Sequence, residues 1–448
     1  MESDDKLLGF RGFLIDAPEF GALRSRPHGA IIVQNGRIIE VGNYDDLRRL
    51  QRSQQVTWID RTGGAIFPGL IDCHTHLPQY SVVARGESEL LPWLRQHIFP
   101  VEREFTGPKA REEAPRFFHE LARHGTTTAM VYAAIYEDSC EVGFEAASAS
   151  GLRVILGKMM MDIGSYGALQ PKKVVSVSLI ESERLCRKWH GADDGRLEYA
   201  FSPRFAVSCS EKLMRGAAEM AARFGAYLQT HLAENREEIE KVHHLFMGAV
   251  DYTHVYEKCG LLTSRTVLGH CIHLSSREIA AIATAQATVA HCPTSNLFLG
   301  SGLIKLDQLL KAGIAVGLGS DVAAGPELNM WQVMRGAIDV QQARAAYEAN
   351  LRPLRPREAF YLATQGGAKA LGKGATIGTL DPGKEADFIV VDLAALPPYP
   401  PKDRQSLQNL SPEDVIALCI YRGGAHSNLE SYVRGRCVYQ SPSFAAVA

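Results

Sequence analysis

The chain has 448 residues, 46% of them apolar and 22% charged, which suits one large globular domain with a smaller companion. A formal net charge of −2 provides no field to draw nucleic acid or an anionic membrane, and no apolar run approaches the roughly 20 residues that span a bilayer. Met1-Glu2-Ser3-Asp4-Asp5 is acidic without a signal-peptide core, and the nine cysteines include no Cys-x-x-Cys pair, so reduced thiols and cytoplasmic residence are expected.

In chain order, a hairpin is predicted over Gly29–Gly42, where Asn35-Gly36 supplies the positive φ angles of a type I′ turn. Eight short apolar runs follow: Ile66–His74, Thr126–Ala133, Arg153–Met160, Leu197–Phe205, Ala226–His231, Thr266–His270, Thr288–His291 and Ala315–Asp321. Helical patterns such as Ala110–His124, Ser210–Phe224 and Ser276–Ala285 lie between them. Eight βα units predict a (β/α)8 barrel over residues 66–375. Asp381-Pro382-Gly383-Lys384 makes a turn, Ala386–Asp392 a strand, and Tyr432–Tyr439 a closing hairpin. The two chain ends, 1–65 and 376–448, are expected to pair into a small β-sandwich beside the barrel. No Gly-x-Gly-x-x-Gly follows an early strand, which argues against a dinucleotide site.

Polar residues end several of these strands. His74-Thr75-His76 closes the first, Arg204 the fourth, His231 the fifth, His270 the sixth and Asp321 the eighth. A barrel gathers such residues on its C-terminal rim, whereas an open sheet would keep strands one, five and eight apart. Alternate residues of a strand share a side, so His74 and His76 can address one point. With His231 and Asp321 they make three imidazoles and a carboxylate, a set suited to one zinc ion per chain, with ferrous iron as another compatible ion. Glu234, three residues past His231, is placed to shuttle a proton rather than bind metal; its alternative is a helix N-terminal acid, the role expected of Glu237 and Glu238. His270 is placed to steady developing negative charge, or is a core histidine. His291 is expected to orient a ligand, and His273 carries a weaker case. Cys73, Cys271 and Cys292 are read as small apolar fillers.

The run Phe67–His76 (FPGLIDCHTH) resembles the amidohydrolase superfamily. More narrowly, His74–Tyr80 (HTHLPQY), Leu91–Phe105 (LPWLRQHIFPVEREF), Ser202–Ser210 (SPRFAVSCS), His231–Glu238 (HLAENREE), His291–Asn296 (HCPTSN) and Gly317–Ala323 (GLGSDVA) are similar to the guanine deaminases. The resemblance implies zinc-dependent hydrolysis of guanine to xanthine and ammonia, a role in purine catabolism, and a homodimer. It implies that Gln79 bonds the purine edge, Arg204 holds the ring carbonyl and Phe205 lies beside the base, with His231, Glu234 and Asp321 also facing substrate. It further implies attack at C2 of guanine, with Asp321 taking a proton from water, Glu234 protonating the adjacent ring nitrogen and His270 stabilising the tetrahedral centre. Cys271 and Ala324 stand where glycine is usual in relatives, which bears on pocket width. Leu90–Phe105 is a lid, a packed helix or a subunit contact.

Three rivals remain at this level. A binuclear cyclic amidohydrolase needs a bridging lysine, for which Lys158 falls on the third strand rather than the fourth. A related barrel deaminase would act on 8-oxoguanine, cytosine or a triazine. A scaffold protein on this fold would have lost a ligand or the shuttle, and this chain keeps them all.

Overall fold

The computed structural model describes residues 6–50, 54–83, 85–86, 89–165, 171–396 and 410–442; the acidic first five residues lie outside these. The strands in chain order are β1 (Leu7–Asp16), β2 (Arg24–Gln34), β3 (Arg37–Asn43), β4 (Val56–Pro68), β5 (Leu70–His76), β6 (Thr126–Tyr132), β7 (Arg153–Gly157), β8 (Met159–Met160), β9 (Leu197–Pro203), β10 (Tyr227–Leu232), β11 (Thr266–His270), β12 (Thr288–His291), β13 (Val316–Leu318), β14 (Phe388–Asp392), β15 (Asn428–Val433) and β16 (Arg436–Gln440).

Both chain ends build one seven-stranded sheet in the order β16-β15-β14-β4-β1-β2-β3. Every pairing is antiparallel except β1 with β4. The turn between β2 and β3 has Asn35 at φ 51° and Gly36 at φ 74°, as a type I′ turn requires. Arg434 and Gly435 repeat that geometry between β15 and β16. Phe10, Phe388 and Tyr432 pack within 5.0 Å of one another at the sheet's centre.

The expected first strand is in fact two. β4 ends at Pro68 in the small sheet and β5 begins at Leu70 in the barrel. Gly69 is the crossing point, and a Cβ there would lie 2.0 Å from Thr127 Oγ1, so only glycine lets the chain pass.

The barrel strands pair in parallel and in chain order from β5 to β13, with helices between them and β8 extending β7 against β9. Ile71, Met130, Ile155, Ala200, Tyr227, Val267 and Ala290, one from each of seven strands, pack with Cys73 in the lumen. Burying each of Ile71, Met130, Ile155 and Val267 contributes about 1.5–3 kcal/mol. The first and last strands meet through side chain and backbone. The Ser320 N–H and hydroxyl donate to Asp72 at 2.9 and 2.5 Å, and the Asp321 N–H donates to the His74 carbonyl at 2.8 Å.

At the opposite mouth, buried Arg153 of β7 pairs with Asp387 at 3.0 Å and with Glu385, and Arg434 also holds Glu385 at 2.7 Å. This network fastens the barrel to the small sheet. No helix among the described residues is long and apolar enough to cross a membrane.

Candidate active site

β5 delivers two imidazoles to one point through an irregularity. Its register against β6 shifts between Asp72 and Thr75. Ile71 and Cys73 face the lumen core, and past the shift His74 and His76 face the rim; bulges re-aim side chains in this way. His231 arrives at the end of β10. Asp321 follows β13 at φ 48°, and His270 ends β11 at φ 66°; both occupy the left-handed region that Asp and His tolerate better than most side chains. Cys271, the residue where glycine is usual in relatives, also lies there, at φ 54°.

The ligand atoms of His74, His76, His231 and Asp321 lie within 4.8 Å of one another, and all four residues are buried. Asp321 Oδ1 is 3.3 Å from His74 Nε2 and 3.2 Å from His76 Nε2. His231 Nδ1 is 2.6 Å from the Arg204 carbonyl, so it carries the proton and donates it, and its Nε2 lone pair faces His76 Nε2 at 3.2 Å. His74 Nε2 is buried without a hydrogen-bond partner. Converging lone pairs of this kind call for a cation between them, and three nitrogens with one oxygen fit a tetrahedral divalent ion. Burial lowers the His74 pKa to about 4 and that of His231 well below its usual value, which keeps both rings neutral and able to ligate. Burial pushes Asp321 up, but the adjacent His74 and His76 imidazoles and the charge of His270 carry it well below the carboxylate range. Tyr132 stacks on His76 at 4.6 Å and 9° and holds that ring in place.

Beside the cluster, His270 Nε2 lies 3.4 Å from Glu234 Oε2 and 3.8 Å from Asp321 Oδ2. Its Nδ1 is 2.8 Å from Asn296 Oδ1. Burial opposes the charged ring, yet the facing carboxylates of Glu234 and Asp321 raise its pKa, so the imidazolium is favoured. Burial raises Glu234 to about 7, with the neighbouring Asp321 and Glu238 adding to the effect. The backbone of Glu234 is fixed by Glu238, whose Oε2 accepts from the N–H groups of Glu234 and Asn235. Glu238 thus caps its helix as expected.

A cavity opens over these groups. Gln79, Arg204, Phe205, Leu90, Trp93, Leu94, Leu299 and Ala324 line it together with His76, His231, Glu234, His270 and Asp321. The Arg204 guanidinium lies 5.0 Å over the Phe99 ring and bonds Glu102 at 2.5 Å, which supplies the partner a buried arginine needs. Gln79 bonds the other oxygen of Glu102 at 2.8 Å.

Residues 65–425 match the amidohydrolase family. The chain is 36% identical to a guanine deaminase of Escherichia coli over 98% of its own length and 99% of that protein's, and 33% identical to one of Dictyostelium discoideum over 95% and 97%. The chain belongs to the amidohydrolase family, with the guanine deaminases. Solved guanine deaminases superpose accordingly. The E. coli structure gives a TM-score of 0.88 at 35% identity, covering 96% of this chain and 99% of that one. The C. acetobutylicum structure, with guanine in its active site, gives 0.88 at 29% identity over 97% and 100%.

In this amidohydrolase the remaining candidates are His291, Lys158 and His273. His291 is fully buried, and neither ring nitrogen has a hydrogen-bond partner among the described residues. Lys158 does not enter the site. Its Nζ turns to the helix Pro171–Trp189, 3.4 Å from Ser178 and 3.2 Å from Glu181, and to the Ile135 carbonyl at 3.0 Å. His273 bonds the Ser301 carbonyl at 2.7 Å, outside the cluster.

Four polar residues at the site escape sequence reasoning: Glu102, Ser295, Asn296 and Ser301. Ser295 Oγ donates to Asp321 Oδ2 at 2.6 Å and Ser301 Oγ to Glu234 Oε1 at 3.2 Å. Ser295 and Asn296 lie in the HCPTSN segment, whose resemblance to the guanine deaminases is the signal that points to them.

Proposed function

We propose that this amidohydrolase is a guanine deaminase, converting guanine and water to xanthine and ammonia with one zinc ion per chain held by His74, His76, His231 and Asp321. The observation that carries the reading is one cavity shared by that cluster and the Gln79–Arg204 pair. A neutral amide and a guanidinium match the carbonyl acceptor and N–H donors of guanine, and Phe205 packs beside the base.

When bound, zinc lowers the pKa of water to about 7 and so supplies a nucleophile at neutral pH. Asp321 takes one proton of the attacking water. Glu234, poised near neutrality, gives its proton to N3 as the oxygen bonds to C2. His270 faces the oxygen and offsets its developing negative charge. Asp321 then passes its proton to the exocyclic nitrogen. The C2–N bond breaks, ammonia leaves, and Glu234 takes the hydroxyl proton as the C2 carbonyl of xanthine forms. Both carboxyl groups end as they began.

A homodimer is supported by the family resemblance and by the prevalence of twofold assemblies. Cytoplasmic residence, with a place in purine catabolism, is supported by nine free cysteines, eight of them buried. Incubation with guanine, 8-oxoguanine, adenine, cytosine and ammeline, with ammonia release followed, tests the assignment. Guanine is expected to be turned over fastest; turnover of another base without guanine overturns it. Metal counting is expected to give one equivalent per chain, and two would favour the binuclear rival.

A further inference from the structure

Glu102 stands behind the base-recognition groups rather than among the cavity walls. Its side chain is 1% exposed and does not line the cavity. One carboxylate oxygen accepts from Gln79 Nε2 at 2.8 Å, and the other accepts from Arg204 at 2.5 Å. Gln79 is fixed at its far end as well, because its Oε1 accepts the Ala323 N–H at 3.2 Å.

These contacts have opposite polarity. A carboxylate only accepts, and a backbone N–H only donates. The Gln79 amide therefore has a single orientation: rotating it by 180° would set its NH2 against the Ala323 N–H and its oxygen against Glu102. Arg204 is a donor in any orientation, and Glu102 cancels its charge in a site that must bind a neutral base.

We propose that Glu102 is the positioning residue that sets the donor–acceptor order read by Gln79 and Arg204, and that it keeps the pocket neutral so that the more acidic product leaves. This rests on the guanine deaminase reading. A glutamine at this position puts an NH2 where one of the two accepting oxygens stands; turned toward Gln79, it removes the contact that opposes the reversed amide and leaves the Ala323 N–H alone to oppose it. It would also remove the negative charge that faces Arg204.

The test uses 2,6-diaminopurine. It keeps the amine at C2 and the ring nitrogen N3, but it reverses the order at positions 6 and 1, offering a donor and then an acceptor where guanine offers an acceptor and then a donor. Wild type is expected to prefer guanine. In Glu102→Gln the ratio of kcat/KM values, guanine over 2,6-diaminopurine, is expected to narrow at least tenfold, mainly through KM for guanine. The inhibition constant for xanthine is expected to fall. Glu102→Asp, which keeps a carboxylate, is expected to retain the wild-type ratio if thermal unfolding shows it folded.

Failure of either readout overturns the inference: a ratio within twofold of wild type in Glu102→Gln, or an unchanged xanthine constant. Equal losses on both bases would show a merely structural role and count against it. If Glu102→Gln does not fold, the folded Glu102→Asp decides: a narrowed ratio there overturns the inference, and a retained one upholds it. Wild type that deaminates neither base would instead sink the guanine deaminase assignment, which separates the two failures.

Discussion

Ser295 and Asp321 divide the work of one carboxylate. The serine hydroxyl donates to Oδ2 at 2.6 Å, while Oδ1 stands 3.2 Å from His76 Nε2 and 3.3 Å from His74 Nε2. One oxygen is thereby turned toward the metal cluster and the other held away from it. Groups that orient a ligand contribute roughly 10–100-fold in metal affinity or activity. Ser295→Ala is expected to weaken zinc binding by that order in a competitive chelator titration. Unaltered affinity and turnover would remove Ser295 from the site's machinery.

Glu234 lies beside the cluster without belonging to it. Replacing it with glutamine keeps the shape and removes the titratable proton. kcat is expected to drop by about 10²–10⁴-fold, the range typical of a lost general acid or base. Metal content, measured by elemental analysis, is expected to stay at one equivalent. Loss of the ion would instead make Glu234 a ligand.

The raised pKa of Glu234 has a consequence for stability in the metal-free protein. A rise from 4.5 to about 7 means that the native state holds this proton more tightly than the unfolded chain. The contribution is fully present below pH 4.5 and is lost as pH rises through about 7, where it has cost about 3 kcal/mol. Glu234→Gln never ionises. Metal-free variant and wild type are expected to differ by under about 1 kcal/mol at pH 5 and by about 3 kcal/mol at pH 8, the variant being the more stable. Urea denaturation at the two pH values measures the gap, and a gap that closes with rising pH would contradict the burial argument.

Removing the ion should also loosen the fold. A ligand at 1,000 times its dissociation constant stabilises the native state by about 4 kcal/mol. Chelation is therefore expected to lower Tm by several degrees, with full recovery on adding zinc. A Tm indifferent to both treatments would mean that the four residues hold no ion in solution.

Much of this site was legible in the sequence because barrel geometry converts strand ends into neighbours. His74, His76, His231 and Asp321 each follow an apolar run, and only a closed barrel makes that pattern converge. Glu102 was not legible. It lies in a segment apolar on most sides, which bends through a π-helical turn at Leu94–Ile98 before the helix Phe99–Glu104. Periodicity cannot say which face such a segment turns to a cavity, and so lid and packed helix looked alike. In the structure it is packed and lines the pocket as well, through Leu90, Trp93 and Leu94. The crossing at Gly69 did carry a signal: Pro68-Gly69 is a turn dipeptide inside the apolar run Ile66–His74, and it falls where one sheet hands the chain to another.

The hydrogen bond from the Asp321 N–H to the His74 carbonyl joins residues 247 positions apart at the barrel's seam. During synthesis the first two imidazoles leave the ribosome long before the carboxylate that completes their set. Until β10 adds His231 and the segment after β13 adds Asp321 they remain an incomplete set with weak hold on any ion. Full coordination therefore marks the moment the cylinder shuts, and ion retention on a gel-filtration column can serve as an assay of correct topology in truncated or permuted chains.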